Sequence, residues 1–141
     1  MDRPHSETVM KTAVKLLTTI AAAALSANAA LAQDGNAEAG EDVFKKCRAC
    51  HDIGPDAKNK VGPMLNGLIG RKSGTIEGFA YSDANKNSNV TWDEATFLKY
   101  IEDPRAFMPG NKMAFAGVKE ADDVKDLLGF LKQYDETGKK K

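Results

Sequence analysis

Apolar residues recur at helical spacing in three stretches of the chain, with long polar segments between them. Gly40, Val43, Phe44 and Cys47 fall at i, i+3, i+4 and i+7. Asn36 can N-cap this stretch and Glu38 suits its positive end, so the spacing predicts a helix from Asn36 with Cys47 on its buried face at the helix end. Gly40 in mid-helix costs roughly 1 kcal/mol relative to alanine; close approach by another helix is the expected return. Thr91-Trp92-Asp93-Glu94 fits a capping box, which predicts a second helix from Trp92 with Phe97, Leu98 and Ile101 as its apolar stripe. Pro104 should end it, because Asp103 before a proline is pushed out of the α region. A third helix is expected from Glu120 to Tyr134, lined by Val124, Leu127, Leu128, Leu131 and Tyr134 and opened by acidic residues that suit the helix dipole. Gly129 and Phe130 are placed to meet Gly40 and Phe44.

The intervening segments read differently. Residues 52–60 form a polar loop, and 61–72 look like a tight turn leading into a short helix. Residues 73–89 are rich in Gly, Ser, Asn and Asp, and the pattern predicts a compact loop with Phe79 and Tyr81 folded inward. Residues 105–117 lack a period, and 136–141 read as a solvated, frayed, basic tail. No internal repeat and no strand pattern is present. The fold class is therefore all-α, with three or four short helices and long loops. That is a poor core for a free-standing domain unless something apolar is buried in it.

Composition narrows the picture. The chain has 141 residues. Lys11 and Lys15, the apolar run 16–25 and Ala30-Leu31-Ala32 have the order of an export signal, predicting cleavage before Gln33 and a periplasmic destination. Met10 then suits the initiator. An uncleaved anchor is the competing reading, but the run falls short of the roughly 20 strongly apolar residues that span a bilayer. Losing 1–32 removes Arg3, Lys11, Lys15, Asp2 and Glu7, which leaves 17 basic against 18 acidic of the 20 of each. A single domain at 33–141 with no basic excess argues against nucleic acid as a partner.

The chemistry centres on Cys47-Arg48-Ala49-Cys50-His51. C-x-x-C-H is the attachment pattern of haem c: two thiols on one side of a turn can each form a thioether, and the adjacent histidine is held beneath the iron. A zinc site would need further ligands, and the chain has only 2 cysteines. A redox dithiol would follow a strand in a βαβ setting, and a plain disulfide would leave His51 idle. His51 is the sole histidine of 33–141, so the natural candidate for a sixth iron ligand is a methionine: Met64, Met108 or Met113. Met64 follows Pro63 on the histidine's side, and Met108 precedes Pro109. Met113 follows a Pro-Gly turn able to bring the backbone to the iron, which favours it over core-filling alternatives.

These residues stand in an ordered set with Val61-Gly62-Pro63, 67–72, 78–86, Thr91-Trp92 and 109–117. Over Gly35 to Lys132 the chain resembles the class I c-type cytochromes, close to the mitochondrial type and the short bacterial cytochromes c2. The resemblance implies the small cytochrome c fold around one haem c, held through Cys47 and Cys50 with His51 and Met113 on the iron. It further implies that the Pro63 carbonyl orients His51, that Tyr81, Trp92 and Arg71 hold a haem propionate, and that Tyr100 and Asn85 form a polar network beside the methionine. Gly40, Phe44 and Phe130 match the crossing of the terminal helices. The departures are Phe130 where tyrosine is frequent, Met64 and Asn66 where asparagine and histidine are frequent, and a shorter spacing from Phe44 to Cys47 that fits the bacterial branch.

The function implied is a monomeric one-electron carrier, not an enzyme. Its donor would be a membrane quinol–cytochrome c reductase, and its acceptor a terminal oxidase or photosynthetic reaction centre. Lys46, Lys58, Lys60, Arg105, Lys112 and Lys119 match positions that ring the haem edge in the family and would steer the carrier to acidic partners. The alternative is a peroxidase-like enzyme or gas sensor whose methionine leaves the iron.

Overall fold

Five helices account for the regular structure of residues 34–141, the part of the chain that the computed structural model describes: α1 (Ala37–Phe44), α2 (Asp83–Asn87), α3 (Glu94–Glu102), α4 (Pro104–Phe107) and α5 (Ala121–Leu131). The predicted signal and its cleavage point lie outside the described residues. Among those described there is no strand, only the isolated bridges Lys72–Thr91 and Tyr134–Lys140. None of the described helices is long and apolar enough to cross a membrane.

The core forms where α1 crosses α5. Asn36 Oδ1 caps α1, accepting from the amides of Glu38 at 2.9 Å and Ala39 at 3.1 Å. At Gly40 a Cβ would land on the Asp126 carbonyl, and at Gly129 one would land on the Gly35 carbonyl. Only glycine permits that approach. Phe44 and Phe130, each 1% exposed, meet there with ring centroids 5.1 Å apart. Burying such a side chain contributes roughly 1.5–3 kcal/mol. Lys132, just after α5, ties the crossing to α3, with Nζ 3.0 Å from Asp34 and 2.8 Å from Glu94.

Several boundaries differ from the sequence expectations. The second predicted helix starts at Glu94, capped by Asp93 Oδ1 on the Thr96 amide at 2.7 Å, and not at Trp92. Thr91 and Trp92 are instead held extended: Trp92 N donates to Arg71 O at 2.9 Å and Gly70 N to Trp92 O at 2.7 Å. The short helix expected within 61–72 is absent, because Gly67 (φ 59°) and Gly70 (φ 98°) turn the chain left-handed. The loop 73–89 contains α2, capped by Ser82, and Pro104 both ends α3 and opens α4 at its first turn. Helix α5 stops at Leu131 rather than Tyr134. The tail expected to fray folds back, with Lys141 N donating to Gln133 O at 2.8 Å.

Candidate cofactor site

From Phe44 the chain leaves α1 in successive turns. Cys47 N donates to Phe44 O at 2.8 Å, and His51 N to Cys47 O at 2.9 Å. These turns bring Cys47, Cys50 and His51 to one wall of a cavity of about 310 Å³. Both cysteines are free and partly buried. Burial pushes the Cys47 thiol up to about 11, against the pull of nearby Lys46. His51 Nδ1 lies 2.8 Å from the Pro63 carbonyl, which fixes the ring orientation. Burial lowers the proton affinity of the imidazole below its ordinary value, opposed by the Pro63 bond. The neutral ring with its Nδ1–H on Pro63 therefore leaves Nε2 as the free donor atom. Gly62 is what lets the loop come so near, since a Cβ there would stand 2.3–2.8 Å from the ring atoms of His51.

Met113 lines the same cavity; Met64 and Met108 do not. The Met113 amide is held by Asn111 Oδ1 at 2.8 Å, and its Sδ accepts the Tyr100 hydroxyl at 3.1 Å. Burial raises Tyr100 to about 12, so the phenol keeps its proton and can only donate to the sulfur. Arg71 is held at the wall by carbonyls: Nη1 donates to Asn66 O at 2.8 Å and Nη2 to Met64 O at 3.3 Å. Burial lowers its proton affinity, and Tyr81 opposes the shift. Buried Tyr81 and Trp92 complete the polar side of the wall.

One apolar cavity thus gathers two thiols, one imidazole, one thioether and the cations Lys46, Arg71 and Lys112. That donor set suits a flat apolar group carrying an iron and acidic substituents, and it fits haem c. The cytochrome c family model matches residues 37–135. The chain belongs to the cytochrome c family. The cytochrome is 61% identical over 117 residues to cytochrome c2 of Blastochloris viridis, covering 83% of this chain and 92% of the relative. It is 61% identical over 103 residues to cytochrome c-550 of Bradyrhizobium diazoefficiens, covering 73% and 76%. Among solved structures it resembles cytochrome cH from Methylobacterium extorquens, with 43% identity and a TM-score of 0.67 over 70% of this chain and 99% of that one. Cytochrome c2 from Rhodospirillum centenum gives 38% identity and a TM-score of 0.69, covering 72% and 99%. The small all-α cytochrome c fold, haem c as the family's cofactor, and electron transfer rather than enzymatic turnover follow from that membership.

Other residues of the cytochrome singled out in the sequence sort by position. Asn85 lines the cavity, but its carboxamide engages Ser82 Oγ at 3.2 Å and Ser73 Oγ at 3.0 Å, not Met113. Of the six candidate docking cations, Lys46 and Lys112 line the cavity. Lys46 also reaches Asp123 at 3.4 Å, and Lys60 Nζ donates to Arg48 O at 2.5 Å. Lys119 is turned to the Glu102 carbonyl at the end of α3, while Lys58 and Arg105 are exposed away from the wall. In the sequence Val61 stands only within the matched Val61-Gly62-Pro63 run, with no role of its own. It is the exposed large hydrophobic residue of the described chain, at 78%, and it sits on the cavity rim. An isolated valine after a polar run was the available signal. Lys86 likewise had no role of its own there; with Lys112 it lines a shallow groove beside the cavity.

Proposed function

We propose that this cytochrome is a periplasmic one-electron carrier in which His51 and Met113 would ligate the iron and Cys47 and Cys50 would hold the haem. One observation carries the ligand assignment: of the three methionines among the described residues, only Met113 lines the cavity with His51. Bound haem supplies an iron that changes by one electron. The residues do the rest. Pro63 would hold the imidazole in one tautomer and Tyr100 the sulfur by its hydroxyl, so that the ligands move little on transfer, while methionine–histidine ligation and the apolar wall would favour a relatively high potential. Arg71, Tyr81 and Trp92 are suited to a buried propionate.

The docking face is the cavity rim. Its exposed charged side chains, Lys46 and Lys112, are cationic, and no carboxylate of the described residues lines the cavity. Such a rim favours partners with acidic surfaces although the whole chain has net charge +0. Val61 adds an exposed apolar side chain to that face. A quinol–cytochrome c reductase as donor and a terminal oxidase or photosynthetic reaction centre as acceptor fit this chemistry. The export signal read at 10–32 supports the location.

The test is the absorption spectrum of the purified protein with and without carbon monoxide. A low-spin c-type spectrum, a weak far-red methionine–iron band and no carbon monoxide complex at neutral pH are expected. A high-spin spectrum or ready gas binding would support the peroxidase-like or sensor alternative and sink the carrier.

A further inference from the structure

The C-terminal residues close a brace over the loop that carries Pro63. Tyr134 and Lys140 pair as an antiparallel bridge, and Asp135 N donates to Lys139 O at 2.9 Å. The Asp135 carboxylate accepts from Thr137 N at 2.8 Å, Thr137 Oγ1 at 2.7 Å and Lys139 N at 3.0 Å. This turn sets Gly138 at φ 77°, buried, where a Cβ would land on the Gly54 carbonyl and stand 2.6 Å from Asn66 Nδ2. Beside it Glu136 covers Gly67, its Cγ 2.8 Å from where a Cβ would stand.

Beneath this brace lie the groups that shape the proximal wall. Asn66 is 6% exposed, and its carboxamide bonds Gly54 in both directions at 2.9 Å. The Asn66 carbonyl receives Arg71 Nη1, and the Pro63 carbonyl holds His51 Nδ1. Residues 52–67 contain no helix or strand and are held by single hydrogen bonds such as Ala57 N to Gly54 O at 3.1 Å and Leu65 N to Asp52 O at 2.9 Å, so packing from outside the segment adds to its resistance to local opening. Excluding water from Asn66 strengthens its bonds in a low-dielectric setting.

We propose that residues 134–141 act as a positioning strap, with Gly138 as its contact point, that fixes the Gly54–Asn66 pair and through it the Pro63 and Arg71 groups around His51. The strap rests on the reading of His51 as axial ligand. Gly138 meets two demands that other residues do not: a left-handed φ and no side chain against the Gly54 carbonyl.

The experiment is hydrogen exchange on the intact holoprotein, comparing wild type, Gly138→Val, a truncation after Asp135, and Lys141→Ala. The lysine variant keeps the strap's backbone bonds and should match wild type. In the first two variants the amides of Gly54, Ala57 and Leu65 should exchange at least about tenfold faster, while amides of α1 and α5 stay unchanged. The Nδ1–H of His51 in the reduced protein should accelerate with them. Uniform acceleration throughout the molecule, unchanged loop amides, or an unmoved ring proton would each overturn the strap as a positioning element. The truncation keeps the question open to measurement should Gly138→Val fail to fold. If the ring proton is unprotected in wild type, the ligand reading is what fails, and the amide arm still decides the strap.

Discussion

Met113 and Met108 stand five positions apart and differ in what surrounds them. Met113 lines the cavity with its sulfur under the Tyr100 hydroxyl; Met108 is 5% exposed in the packed core. Met113→Ala should abolish the far-red band and lower the potential. Met108→Ala should keep the band and cost about 2–5 kcal/mol of stability, as core truncations do; loss of the band in that variant would move the ligand to Met108. Tyr100→Phe isolates a subtler effect. Hydroxyl donation withdraws electron density from the sulfur and disfavours the oxidised iron, so removing it should lower the potential. A bond worth about 1 kcal/mol corresponds to about 40 mV for a one-electron couple, an upper bound for redox titration to find. Cys47, Cys50, His51 and Met113 stand out in the sequence because haem attachment and ligation would demand particular atoms at particular spacings, and the structure brings all four to one cavity. Asn85 lines the cavity, but the bonds of its carboxamide to Ser82 and Ser73 leave no trace in a one-dimensional pattern.

Elements were legible where periodicity and packing agree, and illegible where tertiary contacts overrode local preference. The α1–α5 crossing was visible because Gly40 in a helix needs a reason, and the Asp126 carbonyl supplies one. Gly40→Val should therefore overpack the crossing and lower the denaturant midpoint by the equivalent of about 1–3 kcal/mol or more; an unchanged midpoint would mean that the helices separate freely. The shift of α3 by two residues was not visible, since the bridge Lys72–Thr91 takes Thr91 away from the cap. The tail was misjudged because its order comes from one carboxylate and one buried glycine. Hydrogen bonds from Thr137 and Lys139 hold the Asp135 carboxyl below its ordinary value of 3.8. With the folded value depressed, this contribution is present above the unfolded value and lost as pH falls through the folded one. Acid should thus loosen this turn before the helices melt, read as lower protection of the Thr137 and Lys139 amides relative to their intrinsic exchange rate at each pH. Asp135→Asn should already show that lower protection near neutrality and lose its acid dependence.

At the scale of the molecule, charge is arranged rather than accumulated. A net charge of +0 gives no general attraction to anionic surfaces, so any steering must come from the local cations at the rim, Lys46 and Lys112. Val61 adds a contact that acts only once the surfaces have met. The two kinds of residue should therefore separate kinetically. Lys112→Glu should slow association with a quinol–cytochrome c reductase at low salt and flatten its dependence on ionic strength. Val61→Ser should leave the association rate and its salt slope alone and raise the dissociation rate. The loss should be up to about tenfold in affinity, the worth of roughly 1.5 kcal/mol of apolar burial. Because Val61 is 78% exposed in the free protein, its replacement should change neither the spectrum nor the potential, so a change in transfer kinetics would report docking alone. If Val61→Ser and Lys112→Glu both acted only on association, the face would be purely electrostatic. If neither acted, the electron would leave by another surface.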